Sequence, residues 1–189
     1  MTITAEQRQV DIIDRLAAEA RRRVPAEQAE SAENFVRRYF ANVAPDDVIY
    51  TSFDTLMGGA LSLWDFGAQR TPGKPKVRLF NPTQAVDGWD LQHTVIEIIN
   101  DDMPFLVDSV TAEIRRRDRQ VHLLLHPVIR TRRETDGKRI EVIDTLSPDS
   151  IVESYMHVEI DQETEASELE SIRASLEQIF AEVALAVRD

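Results

Sequence analysis

The sequence predicts an α+β fold: helices come first, then an antiparallel sheet with two helices packed on one of its faces. Three observations carry this. Apolar residues recur by threes and fours from Val10 to Trp64, the period changes to alternation between Val77 and Asp161, and a stripe from Leu169 to Val187 returns to helical spacing.

The first helix opens on Thr4, Ala5, Glu6 and Gln7, a capping-box pattern in which hydroxyl and amide side chains satisfy free N–H groups. Val10, Ile13, Leu16 and Ala17 share its apolar face, and Arg21, Arg22 and Arg23 end it where cations suit the helix dipole. Pro25 suits the first turn of a second helix, whose stripe is Ala29, Ala32, Phe35, Val36, Tyr39 and Phe40. Pro45, Asp46 and Asp47 restart the chain. A third helix then carries Val48, Leu56, Ala60, Leu63 and Trp64 as far as the breaker Pro72, Gly73, Pro75. Residues 1–72 are thus expected as an N-terminal helical segment and residues 73–189 as an α+β domain.

Val77, Leu79 and Phe80 form a short β-prone run that stops at Asn81 and Pro82, and Asp87 and Gly88 mark a turn. Thr94 to Asn100 is Val- and Ile-rich, broken only by Glu97, and reads as a largely buried strand. Pro104 stands at the expected start of a helix that carries Val107, Val110 and Ile114 and ends in Arg115, Arg116, Arg117 and Arg119. Gln120 to Arg133 alternates Val121, Leu123, Leu125 and Ile129 with His122, His126 and Arg130, a strand with one apolar face. Asp136 and Gly137 turn it into a hairpin with Arg139 to Thr145. Beyond Pro148, Tyr155 to Asp161 is a further half-buried strand, and Ser167 to Glu170 a possible capping box for the last helix. This order describes a ferredoxin-like βαββα core, with the run near residue 77 at the sheet edge.

At 189 residues the chain is long enough to bury a substantial core, and no apolar run approaches the roughly 20 residues that span a bilayer. Its opening is acidic and polar, so no export signal is expected, and a cytoplasmic setting fits the lack of cysteine. Without cysteine there is no disulfide, thiolate zinc site, iron–sulfur cluster or cysteine nucleophile. A net charge of −12 repels phosphate backbones and anionic headgroups, which argues against nucleic-acid and membrane partners. The local clusters Arg115–Arg119 and Arg130–Arg133 read as a solvated helix end and a charged strand, or as a docking patch for an acidic surface.

Motifs for chemistry are sparse. No G-x-G-x-x-G turn, Walker loop, G-x-S-x-G elbow or H-E-x-x-H pair occurs, and Gly58 and Gly59 lie within a helical pattern. His122, His126 and His157 fall on the polar phase of their strands, but residues four apart on a strand are about 13 Å apart, too far to share one ion. That face, with Arg130, is a candidate interface, and no metal is expected. Asp101 and Asp102 most simply cap the helix that follows, although general acid–base work or a magnesium handle is chemically open to such a pair. Trp64 and Trp89 read as packing residues.

The segment HTVIEIINDDMPFLVDSVTAEIRRRDRQVHLLLHPVIRTRRETDG, residues 93–137, resembles the N-terminal region of the large bacterial NAD-specific glutamate dehydrogenases. KVRLFNPTQAVDGWD before it, ESYMHVEID after it and the helical lead-in are similar to the same family. The resemblance implies an ACT-like α+β domain with no catalytic residue and no cofactor in this chain. NAD and the oxidative deamination of L-glutamate to 2-oxoglutarate and ammonia would belong to the longer parent enzyme. ACT modules bind amino acids through a D-x-P-G-x-L loop at subunit interfaces, and the matching residues are Asp102, Met103, Pro104, Phe105, Leu106 and Val107, with Phe105 where the motif has glycine. Two readings follow. One is a structural and assembly module that contacts other domains and subunits of a homo-oligomer through a sheet edge or through His122, His126, Arg130 and His157. The other is a regulatory module whose loop Asn100, Asp101, Asp102, Met103, Pro104, Phe105 takes an amino-acid effector.

Overall fold

The computed structural model describes residues 4–188, so residues 1–3 and 189 of the two expected segments lie outside it. The helices are α1 (Ala5–Arg23), α2 (Ala29–Phe40), α3 (Pro45–Ile49), α4 (Phe53–Phe66), α5 (Gln84–Asp87), α6 (Leu106–Arg116) and α7 (Ala166–Arg188). The strands are β1 (Lys76–Phe80), β2 (Thr94–Asp101), β3 (Val121–Leu125), β4 (Val128–Arg133), β5 (Arg139–Val142) and β6 (Ile151–Ile160). The expected capping box forms at Thr4 and Gln7. The single helix expected after Pro45 is two, because Ser52 takes an extended backbone and its hydroxyl accepts from the Thr55 N–H, starting α4 afresh. The last helix begins at Ala166, which puts Ser167 inside its first turn and not at a cap.

All strand pairs in the sheet are antiparallel. β1 lies at one edge beside β2, as expected from sequence, and β2 pairs with the central strand β6. The other side of β6 receives β3 along one half and β4 along the other, and β5 returns beside β4. The strand expected from Gln120 to Arg133 is therefore interrupted at His126 and Pro127, yet its register holds: Leu125 faces His157, and Val128 faces Ser154. Proline has no N–H to donate, but the Pro127 carbonyl still accepts from the Tyr155 N–H at 3.0 Å.

Helices cover both faces of this sheet, which corrects the expectation of strands with one apolar and one exposed face. On one face, as expected, α6 and α7 pack together, and Val110, Ile114, Ile172, Leu176 and Phe180 meet Ile96, Ile98, Met156, Val158 and Ile160. Each such side chain contributes about 1.5–3 kcal/mol by leaving water. On the other face α1 to α4 bring Leu16, Phe35, Val36, Leu63 and Trp64 against Ile99, Leu125, Ile129, Val142 and Tyr155. Residues that alternation marks as polar consequently lie beneath the N-terminal helices, and Glu97, Glu153 and His157 are buried.

Arg70, Arg133 and Glu153 form a buried charge cluster on that face, whereas the buried Arg139 guanidinium is held by the Trp64 carbonyl and ring. Arg70, in the connection between α4 and β1, donates to Glu153 at 2.6 Å and to Asp101 at 2.8 Å. Glu153 also accepts from Arg133 and from the Thr131 hydroxyl. The hairpin turn closes on the same segment, since Arg70 N–H donates to the Gly137 carbonyl and Arg139 N–H to that of Ala68. This links the connection after the first helices to the far edge of the sheet.

Candidate functional site

The loop from Asn100 to Phe105 joins β2 to α6 and is held at both of its aspartates. Asn100 is buried. Asp101 pairs with Arg70. Asp102 donates its N–H to the Val152 carbonyl at 3.1 Å, and one of its carboxylate oxygens accepts from the Ser154 hydroxyl at 2.6 Å. The expectation that these aspartates cap the helix is corrected: α6 has no side-chain cap, and the Asp101 carboxylate goes instead to Arg70 and that of Asp102 to Ser154 of β6. Nor does Pro104 begin the helix. One further residue, Phe105, intervenes with φ 69° and ψ 5°, and α6 starts at Leu106.

That conformation is the left-handed one in which the matching loop position carries glycine, and a side chain there costs about 1–2 kcal/mol. The chain keeps the backbone shape and adds a ring, which is 64% exposed. Val128 and Val152, also exposed, sit at the same end of the sheet, where Ser154 links β4 to the Asp102 loop.

His126 lies 2.9 Å from the Ser154 hydroxyl, so Asp102, Ser154 and His126 form a connected line. The serine is in the middle. Its proton goes to Asp102, which leaves its oxygen to accept from the histidine N–H, the reverse of the arrangement in which histidine takes a serine proton and creates a nucleophile. Burial lowers the His126 pKa, and Asp102 partly offsets this. The line ties the β3–β4 connection to the loop and supplies no activated hydroxyl.

The four residues expected to share a face do not. A register shift between Val121 and Leu123 changes the phase of β3. Arg130 shares a strand phase with Val128, opposite the buried Ile129, and His126 reaches the Ser154 hydroxyl from the β3–β4 connection, while His157 is buried under α2 and α4 beside Tyr39. His122 stacks on His93, ring centroids 4.2 Å apart, at the mouth of a cavity that His157 also lines. His93, Glu159, Arg70 and Glu153 are not singled out by sequence reasoning: His93, Glu159 and Glu153 are polar residues within or beside strand-forming runs, and Arg70 stands just before the Pro72 breaker.

Among the described residues no cluster of histidine and carboxylate has the geometry for a metal ion, and no helix is long and apolar enough to cross a membrane. The sequence model of the family described as glutamate dehydrogenase, ACT1 domain, matches residues 35–176. The chain is 34% identical over 190 residues to a protein of Halomonas elongata named NAD-specific glutamate dehydrogenase, an alignment that covers 99% of this chain and 12% of the relative. A protein of the same name from Pseudomonas aeruginosa is 32% identical over 157 residues, covering 82% of this chain and 10% of the relative. The chain therefore spans about a tenth of the length of these relatives. No solved structure matches it.

Proposed function

Since the chain belongs to the glutamate dehydrogenase ACT1-domain family, we propose that it is an N-terminal, non-catalytic module for assembly and regulation within a far longer NAD-dependent glutamate dehydrogenase. The parent enzyme oxidatively deaminates L-glutamate to 2-oxoglutarate and ammonia in the cytoplasm, with NAD bound elsewhere in the polypeptide. The partners of this module are other domains and subunits of a homo-oligomer.

The observation that carries the assembly reading is Phe105, a large ring held in solvent on a left-handed backbone. Strain of this kind persists where a function requires it, and an aromatic side chain on a rigid turn is a favourable contact anchor. The effector reading for Asn100, Asp101, Asp102, Met103, Pro104 and Phe105 is less well supported, because one oxygen of each of the two aspartate carboxylates already has a partner within the fold. The test is association between this chain and the remainder of its parent polypeptide, measured by analytical ultracentrifugation. Phe105→Asp should weaken it at least about tenfold, the loss typical of a buried anchor. Saturable heat with an amino acid that disappears in Asp102→Ala would instead establish the effector site.

A further inference from the structure

Between α2, α4 and the β3–β6 face lies a cavity of about 170 Å³, separate from the loop at the head of α6. Its apolar walls include Phe40, Leu56, Trp89 and Leu123, and its polar floor is His157 and Glu159. His93 and His122, stacked in parallel, flank the opening.

The space exists because α4 presents consecutive glycines at its closest approach. A β-carbon at Gly58 would overlap the Trp89 ring, so this glycine lets Trp89 seat as a wall. A β-carbon at Gly59 would stand 3.3 Å from the Tyr39 hydroxyl and 3.4 Å from His157 Cε1, inside the cavity. Gly59 thereby keeps open a volume that almost any other residue would narrow.

The floor has hydrogen-bonding capacity left over. His157 is 2% exposed, with Nε2 3.1 Å from Glu159, and its Nδ1 is buried without a partner among the described residues. In the tautomer that turns its N–H from Nε2 to the Glu159 carboxylate, Nδ1 is an acceptor. Glu97, directly across from His157 on β2 and behind the cavity lining, also has a buried carboxylate oxygen without a partner among the described residues. An unmet buried acceptor costs about 1–3 kcal/mol and is normally answered by a donor. Burial pushes the Glu159 carboxyl pKa up, but hydrogen bonds from His157 and His93 outweigh this and hold it below its usual value. Among the described residues no lysine or arginine lines the cavity.

We propose that this cavity is a binding site for a small molecule with an apolar, aryl-sized body and a protonated amine head, the body between Trp89 and Leu123 and the ammonium donating to His157 and Glu159. Excess acceptors, negative charge and aromatic walls all favour a cation that donates hydrogen bonds and disfavour an anion. The site lies on the opposite face of the sheet from α6 and does not depend on the assembly role of Phe105.

The test uses phenethylamine and phenylacetate, which share a body and differ in the sign of the head, titrated into the 189-residue chain and followed by amide and indole NMR shifts. Phenethylamine should saturate one site with shifts centred on Gly59, Trp89 and His157, and phenylacetate should bind at least about tenfold more weakly, the equivalent of one charge-assisted hydrogen bond. Equal binding of both, or no saturable binding of the amine, overturns the proposal. Glu159→Gln should lower amine affinity by a similar factor, and unchanged affinity in a folded Glu159→Gln also overturns it. Gly59→Ala adds a methyl group to the cavity and a better helix former to α4, so a folded protein with impaired amine binding is expected. If either variant fails to fold, the comparison of the two probes on the native chain decides.

Discussion

The guanidinium of Arg70, shielded completely from solvent, sits 2.6 Å from the carboxylate of Glu153, 83 positions later in the chain and equally buried. The pair joins the connection after α4 to the central strand. Glu153 is also the acceptor for Arg133, so it serves two buried guanidinium groups, of which Arg70 has Asp101 as its second partner.

Glu153→Leu should therefore be among the most damaging single changes in the chain. It leaves Arg70 and Arg133 buried with insufficient negative charge, and breaking a buried pair in this way costs about 3–5 kcal/mol. Urea denaturation checks it. A loss below about 1 kcal/mol would mean that water reaches these groups and the site is not the clamp described.

Gly137→Ala should destabilise by more than the roughly 0.4–1 kcal/mol that a compatible glycine-to-alanine change gains. Gly137 has φ 92°, and a β-carbon there would overlap the carbonyl oxygen of Arg70. Thermal unfolding measures the cost, and an unchanged midpoint would show that the turn and the Arg70 segment can separate freely.

Phe105→Gly should stabilise the isolated chain. Removing about 1–2 kcal/mol of left-handed strain exceeds the roughly 0.5–1 kcal/mol entropic penalty of glycine. An increase in Tm of a few degrees is expected, and together with weaker association to the parent polypeptide it would show stability traded for contact. A lower Tm in Phe105→Gly would refute the strain argument.

Acid should loosen the contact between α6 and α7 through Glu113. Burial raises its carboxyl pKa, but hydrogen bonds from Arg116, Arg117 and Ser175 outweigh this and bring it to about 2. Because the folded pKa is depressed, the stabilisation is present above the unfolded value near 4.5 and is lost as pH falls from there towards about 2. Stability measured across this window should decline less steeply in Glu113→Gln than in the native chain.

Much of the architecture was legible in periodicity. The capping box at Thr4, the edge strand at Val77, the hairpin at Gly137 and the stripe of α7 each rest on contacts between near neighbours or on one side chain's preference for water or core. The candidate site was less legible. Asp101 and Asp102 look like caps because a carboxylate before a helix is a local signal, whereas Arg70 and Ser154, the groups that hold them, come from distant parts of the chain. The face of His122 depended on a register shift in β3, which alternation cannot register in advance.

The residues alone determined that strands and helices would form, roughly where, and that a glycine position of an ACT-like loop carries Phe105, because propensity and hydrophobic pattern are properties of short stretches. Tertiary structure decided that the N-terminal helices cover the second sheet face, that Glu97, Glu153 and His157 become buried, and that the Gly58–Gly59 step leaves a lined cavity. The reason is physical. Burial and charge pairing are set by which surfaces meet across the fold, and that pairing is chosen by the packing of the whole chain.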